Sequence, residues 1–587
     1  MFQPWQQAGS VHAAVPKTRV RPGEAGWPSQ ASWDRLREAV GGRLTKVSSP
    51  LVACTQAPTG QYCEPLFRRL KNPYFLRDEV GLTQTLGWVD AWTSAPSAYA
   101  IAAESTADVV AGVNFARENN LRLVLRGGGH SYQGTSNAPD SLLIWMRPMT
   151  AITLHDAFVG TGCEAQAEPR SAVTVEAGAI WGQVYDAVTT QASRYVQGGG
   201  CITVGVAGLV QSGGFGHFSK RYGTAAASLI EAEVVGADGQ VRIANACTHP
   251  DLFWAIKGGG GGSFGVVTRM TLATHDLPDF FGGVFTTIAA TFDHAFRRLI
   301  GKVMTFYRDG LFNPHWGEQI AFRPNNSLNI GMTFQGLDQQ QAEMIWRPFL
   351  AEIEASPQDF RIERPPVILA LPARRFWEPA FLKSLGDLVL TDDRPGAPAS
   401  NIFWAGNLEE SGQVLHGYQS VWMPEALLRP DAETKLADAL FTASRHWGVS
   451  LHFNKGLAGA SAPALQASRD TAMNPATLDA FALLISGAEG PPAFPGIPGR
   501  EPDVATARRE AKAIDRAVNE IRTRLGAAGS YLAESDFFET DWQTAFWGSN
   551  AERLRAVKTK YDPDDLFIVH HGIGSHRWSR DGFSQLE

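Results

Sequence analysis

Alternation of apolar and polar residues is the clearest signal in the first half of the chain. In LRLVLR, Leu121, Leu123 and Leu125 fall on alternate positions, which is typical of a strand that faces a core. Similar stretches at SLLIWM, SAVTVEAG, LIEAEVVGADGQVRI and GVVTRMTLATH predict further strands. Strands and helices do not follow one another in a regular alternation, so the pattern predicts an α+β fold.

A helical repeat precedes the LRLVLR strand. In STADVVAGVNFARENN, Val109 and Val113 lie on one helical face, and Ser105 with Asp108 has the spacing of a capping box. This helix is expected to end near residues 119–120, where two asparagines stand. SWDRLREAV and AIWGQVYDAVTTQ also favour helices.

Changes in these patterns divide the 587 residues, which are too many for one ordinary core, into four parts. Residues 1–85, rich in Pro, Gly and Gln, are expected to form an N-terminal extension, and 86–275 carry the strands described above. Residues 276–525 contain candidate strands such as SLNIGMTFQG and DAFALLISG between apparent helices, which predicts a second domain with its own sheet. Residues 526–587 form a last segment.

Composition narrows the possible functions. Hydrophobic residues make up 44% of the chain and charged residues 19%, as in a packed globular protein. The net charge of −7 and the lack of a dense Lys/Arg run argue against a nucleic-acid partner. No stretch approaches ~18 uninterrupted apolar residues, so no membrane-spanning helix is expected. The first residues lack the pattern of a signal peptide.

Five cysteines give limited information about the redox compartment. Cys54 and Cys63, in CTQAPTGQYC, are close enough in sequence to form a disulfide in an exported protein, or they are two free thiols. That possible bond favours a secreted or periplasmic location, with the cytoplasm as the alternative. Cys163 and Cys247 have no evident partner and are expected to be ordinary small residues. No CxxC pair is present, and no metal site is predicted.

Two glycine triplets each precede a reactive side chain. His130 follows one in LRGGGHSYQG, and Cys201 follows the other in VQGGGCITVG. Successive backbone N–H groups without side chains around them form a concave surface that can hold a phosphate. The chain lacks GxxxxGK[ST], and it lacks a GxGxxG turn between a first strand and a helix, so neither a P-loop nor a Rossmann site is predicted.

Four motifs occur in a family-specific order: RGGGHSYQG, GGGCITVGVAGLVQSGGFGHFSKRYG, DLFWAIKGGGGGSFGVVTRMTL and WGSNAERLRAVKTKYDPDDLF. Together they resemble the berberine-bridge-enzyme-like branch of the vanillyl-alcohol-oxidase flavoproteins. The resemblance covers about residues 90–275 and 525–570. It implies a PCMH-type FAD-binding domain built from two chain segments, 86–275 and 526–587. It also implies an α/β substrate domain, 276–525, whose antiparallel sheet is covered by helices.

The resemblance also implies a bicovalent FAD. By position, His130 would bond the 8α methyl group of the flavin and Cys201 would bond C6, while the glycines let the backbone close on the cofactor. Other residues are expected to contact FAD through their loops: Gly127, Gly128, Gly129 and Ser131 at the diphosphate; Gly205, Ser212, Gly213, Gly214 and Gly216 at the sugar and phosphates; Gly265 and Val267 at the adenine.

The chain departs from the family pattern near its end. IVHHGIGS stands where relatives often have an N-x-Q-S-I-P-like segment. His570 is therefore a candidate for contact with the flavin and His571 for catalysis, and a surface or core pair is an equal alternative. Adjacent histidines on a strand would point to opposite faces, which argues against a shared metal.

Three further residues are candidates for proton transfer. His452 and Asn454, in VSLHFNKGLAG, would share a strand face, and Tyr132 follows the first glycine turn. A hydrogen-bonded core strand is the alternative for the first two.

The implied function is an FAD-dependent oxidase. It would remove hydride from an alcohol or sugar hydroxyl carbon, and O2 would reoxidise the flavin to give H2O2. A small-molecule substrate and O2 are the expected partners. Oxidative cyclisation in secondary metabolism is the alternative reaction, and a flavin-binding protein without turnover is the alternative class.

Overall fold

The computed structural model describes residues 17–58 and 60–586. Its strands, in chain order, are β1 (Leu44–Lys46), β2 (Gly87–Trp88), β3 (Trp92–Thr93), β4 (Tyr99–Ala102), β5 (Leu123–Arg126), β6 (Leu142–Trp145), β7 (Ile152–Phe158), β8 (Arg170–Glu176), β9 (Arg194–Val196), β10 (Leu229–Val235), β11 (Val241–Asn245), β12 (Val266–Asp276), β13 (Phe280–Ala290), β14 (Trp316–Phe322), β15 (Ser327–Gln335), β16 (Phe360–Pro372), β17 (Val389–Thr391), β18 (Ile402–Trp404), β19 (Val414–Pro424), β20 (Val449–His452) and β21 (Ala480–Gly490).

The α-helices are α1 (Gln30–Ala39), α2 (Pro50–Gln56), α3 (Cys63–Arg69), α4 (Pro73–Asp78), α5 (Thr106–Glu118), α6 (Trp181–Tyr185), α7 (Val206–Gln211), α8 (Ser219–Tyr222), α9 (Pro250–Ile256), α10 (Asp293–Phe306), α11 (Gln339–Glu354), α12 (Pro379–Ser384), α13 (Glu433–His446), α14 (Ala462–Arg469), α15 (Ala476–Asp479), α16 (Val504–Leu525), α17 (Trp542–Trp547) and α18 (Ala551–Tyr561). The α+β prediction is confirmed. In the described part of the chain, no helix is long and apolar enough to cross a bilayer.

The first domain contains two sheets. One has the order β1-β4-β6-β5, with β4, β6 and β5 parallel, and the other is antiparallel with the order β11-β10-β12-β8-β7. Both Leu123 and Val124 of β5 are buried, because the strand is covered on two faces. Strand β5 of this sheet ends at Arg126, directly before the first glycine turn at residues 127–129.

Helix α5 begins and ends where its sequence predicts. The Ser105 hydroxyl accepts from the backbone N–H of Asp108 at 3.3 Å, and the Asp108 carboxylate accepts from the backbone N–H of Ser105 at 3.1 Å. The capping box is therefore present. The helix ends at Glu118, and its buried face includes Val109 and Val113.

The second domain is built on a nine-stranded sheet with the order β16-β13-β15-β14-β20-β21-β19-β2-β3. Its pairings are antiparallel except that of β19 with β2. Helices α10, α11, α13 and α16 pack on the sheet and bury Phe296, Trp346, Leu440 and Val518. This is the predicted antiparallel sheet covered by helices.

The short strands near the N-terminus are divided between the two domains. Strand β1, within the expected N-terminal extension (1–85), pairs with β4 in the first domain. Strands β2 and β3, at residues 87–93 of the segment expected to bind FAD, complete the edge of the second domain's sheet. Strands of two or three residues carry little sequence signal, because tertiary contacts rather than local sequence decide their pairing.

The last segment returns to the first domain. Trp547 donates its indole N–H to the carbonyl of Gly258 at 3.0 Å, and the buried Lys558 ammonium donates to the carbonyl of Ser263 at 2.8 Å. The C-terminal segment thus fixes the glycine-rich loop at residues 258–265.

The cysteines form two disulfides, Cys54–Cys63 and Cys163–Cys247. The first agrees with the sequence-based expectation. The second corrects it, because Cys163 and Cys247 are partners although they are 84 positions apart in the sequence. The turn after β7 and the turn after β11 meet where Asn245 donates to the carbonyl of Thr161 at 2.9 Å. Cys201 is the free cysteine.

We expect the longer disulfide loop to stabilise the protein more than the shorter one. Chain-entropy arguments give about 4–5 kcal/mol for the Cys163–Cys247 loop and about 3 kcal/mol for the Cys54–Cys63 loop. Thermal unfolding of Cys163→Ser/Cys247→Ser should therefore occur at a lower temperature than that of Cys54→Ser/Cys63→Ser. Equal melting temperatures would contradict this ranking.

Candidate active site

A cavity of about 540 Å³ lies between the glycine turns of the first domain and the sheet of the second. The C-terminal segment forms another part of its wall. The structure brings most of the predicted site residues to this cavity: Gly127, Gly128, Gly129, His130, Ser131, Tyr132, Cys201, Gly205, Ser212, Gly265, Val267, His452, Asn454, His570 and His571.

The turn that carries His130 and the turn that carries Cys201 approach each other so closely that only glycine fits at positions 128 and 205. A Cβ on Gly128 would lie 2.5 Å from the backbone N of Gly205, and one on Gly205 would lie 2.6 Å from the backbone N of Gly128. Gly208 also lines the cavity, and a Cβ there would meet no protein atom within 4 Å. This bare backbone fits a dinucleotide that contacts main-chain N–H groups.

Alanine at position 128 should separate the two turns, because its Cβ would press on backbone rather than on a movable side chain. We expect Gly128→Ala to lower stability by about 1–3 kcal/mol, as overpacking does, and to reduce the amount of flavin bound. The matched control is Gly301→Ala on α10, where the nearest atom to the added Cβ is 3.9 Å away. Thermal melts and the flavin-to-protein absorbance ratio measure both effects. Wild-type values for Gly128→Ala would contradict the expectation.

His130 and Cys201, the two residues predicted to bond the flavin and called the tethers below, both contact Thr203. The ring of His130 is hydrogen-bonded to the backbone of Thr203, and burial lowers its pKa to about 4, so the imidazole is neutral. The sulfur of Cys201 lies 3.4 Å from the hydroxyl of Thr203. Burial, together with the charge of Glu410, raises the pKa of the Cys201 thiol to about 12. A neutral imidazole and a protonated thiol therefore face the same cavity.

Gly213, Gly214 and Gly216 do not line the cavity, which differs from the sequence-based expectation. Their missing Cβ atoms face protein instead: Met473 at 2.4 Å, Leu209 at 2.2 Å and the carbonyl of Gly198 at 1.8 Å, respectively. Gly213 and Gly214 have φ values of 98° and 75°. These glycines shape the turn behind the cavity rather than its surface.

One side of the cavity carries what we call the carboxylate–tyrosine cluster, namely Tyr132, Glu410, Tyr418, Lys455 and Glu534. The rings of Tyr132 and Tyr418 have centroids 5.2 Å apart. Lys455 donates to both carboxylate oxygens of Glu534 at 2.6 Å. Burial raises the pKa of both tyrosines, so they remain protonated donors.

Glu410 differs from the other two carboxylates that line the cavity in the described part of the chain. Glu534 is paired with Lys455 and Glu318 with His217, whereas Glu410 accepts one hydrogen bond from Asn407 at 2.8 Å and has no cationic partner among the described residues. Burial, with a smaller contribution from Glu534, raises the pKa of Glu410 to about 7. It can therefore take up a proton near neutral pH.

A second polar group centres on Glu318. His217 Nδ1 lies 2.8 Å from Glu318 Oε1, and Asn454 donates to the same oxygen at 3.0 Å. Strand β20 ends at His452, and Asn454 follows in a single helical turn at residues 453–455, so the two do not share a strand. Burial and nearby Lys455 lower the pKa of His452 to about 3, so this imidazole is a weak proton acceptor.

His570 and His571 lie in a turn, not on a strand, which corrects the expectation that they face opposite ways. Their rings stack with centroids 3.8 Å apart. His570 donates to the carbonyl of Phe537 at 2.9 Å, and His571 stacks on Trp542 at 5.5 Å. Burial lowers their pKa values to about 4 and 3, so both rings are neutral parts of the cavity wall.

Several polar residues of the cavity were not among the sequence-based candidates, including His217, Glu318, Glu410, Tyr418 and Glu534. One signal was available, because His217 follows the glycine turn GGFG just as His130 follows GGG. The three glutamates and Tyr418 occur in unremarkable strands and loops, and only the fold brings them to the cavity.

Two family models match the chain. The model described as "FAD binding domain" matches residues 96–245, and the model "Berberine and berberine like" matches residues 530–574. These segments include both glycine turns and the C-terminal part of the cavity wall.

The chain is similar along its length to named flavoproteins. It is 30% identical to the FAD-linked oxidoreductase easE of Trichophyton verrucosum, over 96% of this chain and 91% of the relative. The VAO-type flavoprotein MtVAO615 of Myceliophthora thermophila has the same fold, with a TM-score of 0.78, 24% identity and coverage of 97% and 100%. The glucooligosaccharide oxidase of Acremonium strictum, described with a 6-S-cysteinyl, 8α-N1-histidyl FAD, matches with a TM-score of 0.62, 19% identity and coverage of 84% and 94%.

Proposed function

Because the chain belongs to the berberine-bridge-like family of FAD-linked oxidoreductases, we propose that it oxidises an alcohol or sugar hydroxyl carbon with a bicovalently attached FAD and O2. The observation that carries this proposal is the shared cavity, which brings His130, Cys201 and the proton acceptor Glu410 together. FAD, when bound, accepts the hydride and passes the electrons to O2, which yields H2O2.

Attachment at two points is supported by the placement of both side chains in one cavity and by the neutral state of His130. His130 is neutral, so a ring nitrogen is free of a proton and able to form a bond. Cys201 has no disulfide partner and faces the cavity. Histidine and cysteine are also the two residue types of the FAD attachment described for the Acremonium strictum enzyme.

Glu410 is the proton acceptor in this proposal. The substrate hydroxyl gives its proton to the Glu410 carboxylate as the carbon gives up its hydride. Tyr132 and Tyr418, held protonated by burial, donate hydrogen bonds that orient the substrate oxygen. The ion pair between Lys455 and Glu534 fixes the positions of these two side chains in the cavity wall.

The two disulfides also support a proposal about location. Disulfides persist in oxidising compartments, so we propose that the protein matures in a secretory pathway or a periplasm. Thiol labelling of the denatured protein from its native source should modify at most Cys201. Labelling of all five cysteines would contradict export.

The function is tested by mixing the purified protein anaerobically with a panel of alcohols, aromatic alcohols and oligosaccharides. An oxidase substrate should bleach the flavin, and admission of O2 should restore the colour with one H2O2 per bleaching event. Product analysis separates a carbonyl product from an intramolecular ring closure, which would indicate oxidative cyclisation. A protein that stays yellow with the whole panel would fit the alternative of flavin binding without turnover.

A further inference from the structure

The peptide that leads into Cys201 is held by two side chains rather than by backbone groups. The Tyr185 hydroxyl donates to the carbonyl of Gly199 at 2.7 Å, and the Trp404 indole N–H donates to the carbonyl of Gly200 at 3.0 Å. In the described part of the chain, no backbone N–H is hydrogen-bonded to either carbonyl. Because glycine has no Cβ to restrict its backbone, these two side chains decide the direction in which the chain enters Cys201.

The chain after Cys201 is held differently, by backbone groups of the first domain. The carbonyl of Ile202 accepts from the backbone N–H of Gly182 at 2.7 Å, and the carbonyl of Cys201 accepts from that of Val204 at 3.3 Å. The hydrogen bond from Trp404 is therefore the contribution of the second domain to the position of this turn.

Trp404 is the last residue of a hairpin that lies outside the large sheets. Strands β17 and β18 form a two-stranded sheet of their own, and we call residues 389–404 the docking hairpin. Its buried Phe403 packs with Tyr74 of α4 and with Ile180 of the first domain. The Tyr74 hydroxyl also donates to the carbonyl of Ile402 at 2.6 Å. These contacts hold Trp404 against the first domain.

Polar contacts anchor the same hairpin at both ends of α4. The buried Asp392 carboxylate accepts from Asn72, the N-cap of this helix, at 2.8 Å. At the other end, Arg394 pairs with Asp78 at 2.9 Å. Arg394 also pairs with Asp392 at 2.7 Å, so the two anchors form one network.

We propose that Trp404, held by the docking hairpin, positions Cys201 for its bond to the flavin, so that attachment through Cys201 requires contact between the two domains. The inference rests on the proposed bicovalent FAD. When this bond forms, sulfur takes the place of the hydrogen on C6. O2, which the proposed oxidase also uses, takes up that hydrogen and the thiol hydrogen with their electrons as H2O2.

Attachment through His130 should not depend on the docking hairpin. The hydrogen bonds of the hairpin to the first domain that hold Trp404 end at α4, its N-cap and Gly200. The turn that carries His130 is fixed instead by its close backbone contact with Gly205. Loss of the Trp404 hydrogen bond should therefore affect one attachment and leave the other in place.

Thiol labelling of the purified, flavin-containing protein measures the Cys201 bond without requiring turnover. Iodoacetamide is added in denaturant without reductant, so that the disulfides stay closed and Cys201 is the thiol that can react. Mass spectrometry gives the labelled fraction, and the colour of the acid-precipitated pellet reports attachment through His130. We expect little labelling of the wild-type protein, because its sulfur is bonded to the flavin.

Trp404→Phe keeps an aromatic ring in the cavity wall and removes the indole donor. Its labelled fraction should be at least about fivefold above that of the wild type, as loss of one hydrogen bond allows. Its acid pellet should stay yellow. Trp447→Phe is the matched control, because Trp447 donates to the carbonyl of Gly487 at 3.0 Å and does not line the cavity. It should label like the wild type.

Tyr74→Phe tests the same hairpin from outside the cavity. It removes the hydrogen bond to the carbonyl of Ile402 and keeps the ring that packs with Phe403. Labelling of Cys201 should rise in the same direction as in Trp404→Phe, again with a yellow pellet. This variant also serves if Trp404→Phe does not fold.

Two results would overturn the proposal. One is a folded Trp404→Phe protein that labels no more than the wild type; if that variant does not fold, the same result with Tyr74→Phe counts equally. The other is strong labelling of Trp404→Phe with a colourless pellet, because Trp404 would then serve flavin binding as a whole. Full labelling of the wild-type protein with a yellow pellet would contradict the bicovalent attachment itself, and the inference with it.

Discussion

Glu410→Gln should slow the anaerobic bleaching of the flavin by substrate about 100-fold or more, because glutamine cannot take up the hydroxyl proton. Glutamine preserves the size of the side chain and its hydrogen bond with Asn407, so the cavity should keep its shape. Stopped-flow absorbance at saturating substrate measures the bleaching rate directly. It separates this step from reoxidation by O2.

The neighbouring residue provides the control for this variant. Glu409 is exposed and paired with Lys71 at 2.7 Å, and it does not line the cavity. Glu409→Gln should therefore bleach at the wild-type rate. Equal rates in Glu410→Gln and Glu409→Gln would exclude Glu410 as the proton acceptor.

The pH profile gives an independent signature of the same group. Only the ionised carboxylate can accept the proton, and the pKa of Glu410 is raised to about 7. The bleaching rate of the wild-type protein should therefore rise with pH through about 7 and level off above it. The residual rate of Glu410→Gln should lack this rise, and a profile unchanged by the substitution would assign the titration to another group.

The second large effect is expected at the tethers. In the His130→Ala/Cys201→Ala protein, no bond to the flavin remains, so acid precipitation should leave a colourless pellet and a yellow supernatant. Each single variant should retain flavin in the pellet through its remaining tether. Loss of one tether should also slow bleaching by about tenfold, equivalent to about 1.4 kcal/mol of activation free energy.

The control for the tether variants is another cysteine pair. Cys54→Ser/Cys63→Ser changes thiols that lie outside the cavity. Its pellet should remain as yellow as that of the wild-type protein. A yellow pellet from the His130→Ala/Cys201→Ala protein would place the covalent bond elsewhere.

Local signals were sufficient for the elements near the flavin turns. The capping box of α5 and the alternating leucines before the first glycine turn are properties of neighbouring residues, and the structure confirms both. The glycines at 128 and 205 could also be interpreted from sequence, because close backbone contact requires the absence of a Cβ.

Long-range contacts account for what the sequence could not show. Glu318 and Asn454 are 136 positions apart, and only the arrangement of β14 and β20 in one sheet brings them together. Cys163 and Cys247 meet because two turns of the first domain pack together. The raised pKa of Glu410 depends on burial, which no short motif encodes.

Peptide mapping of the wild-type protein by mass spectrometry shows directly whether one flavin is bonded to both glycine turns. We expect a cross-linked species in which the peptide containing His130 and the peptide containing Cys201 are joined through a single flavin. Recovery of both peptides unmodified from fully yellow, substrate-bleachable protein would contradict it.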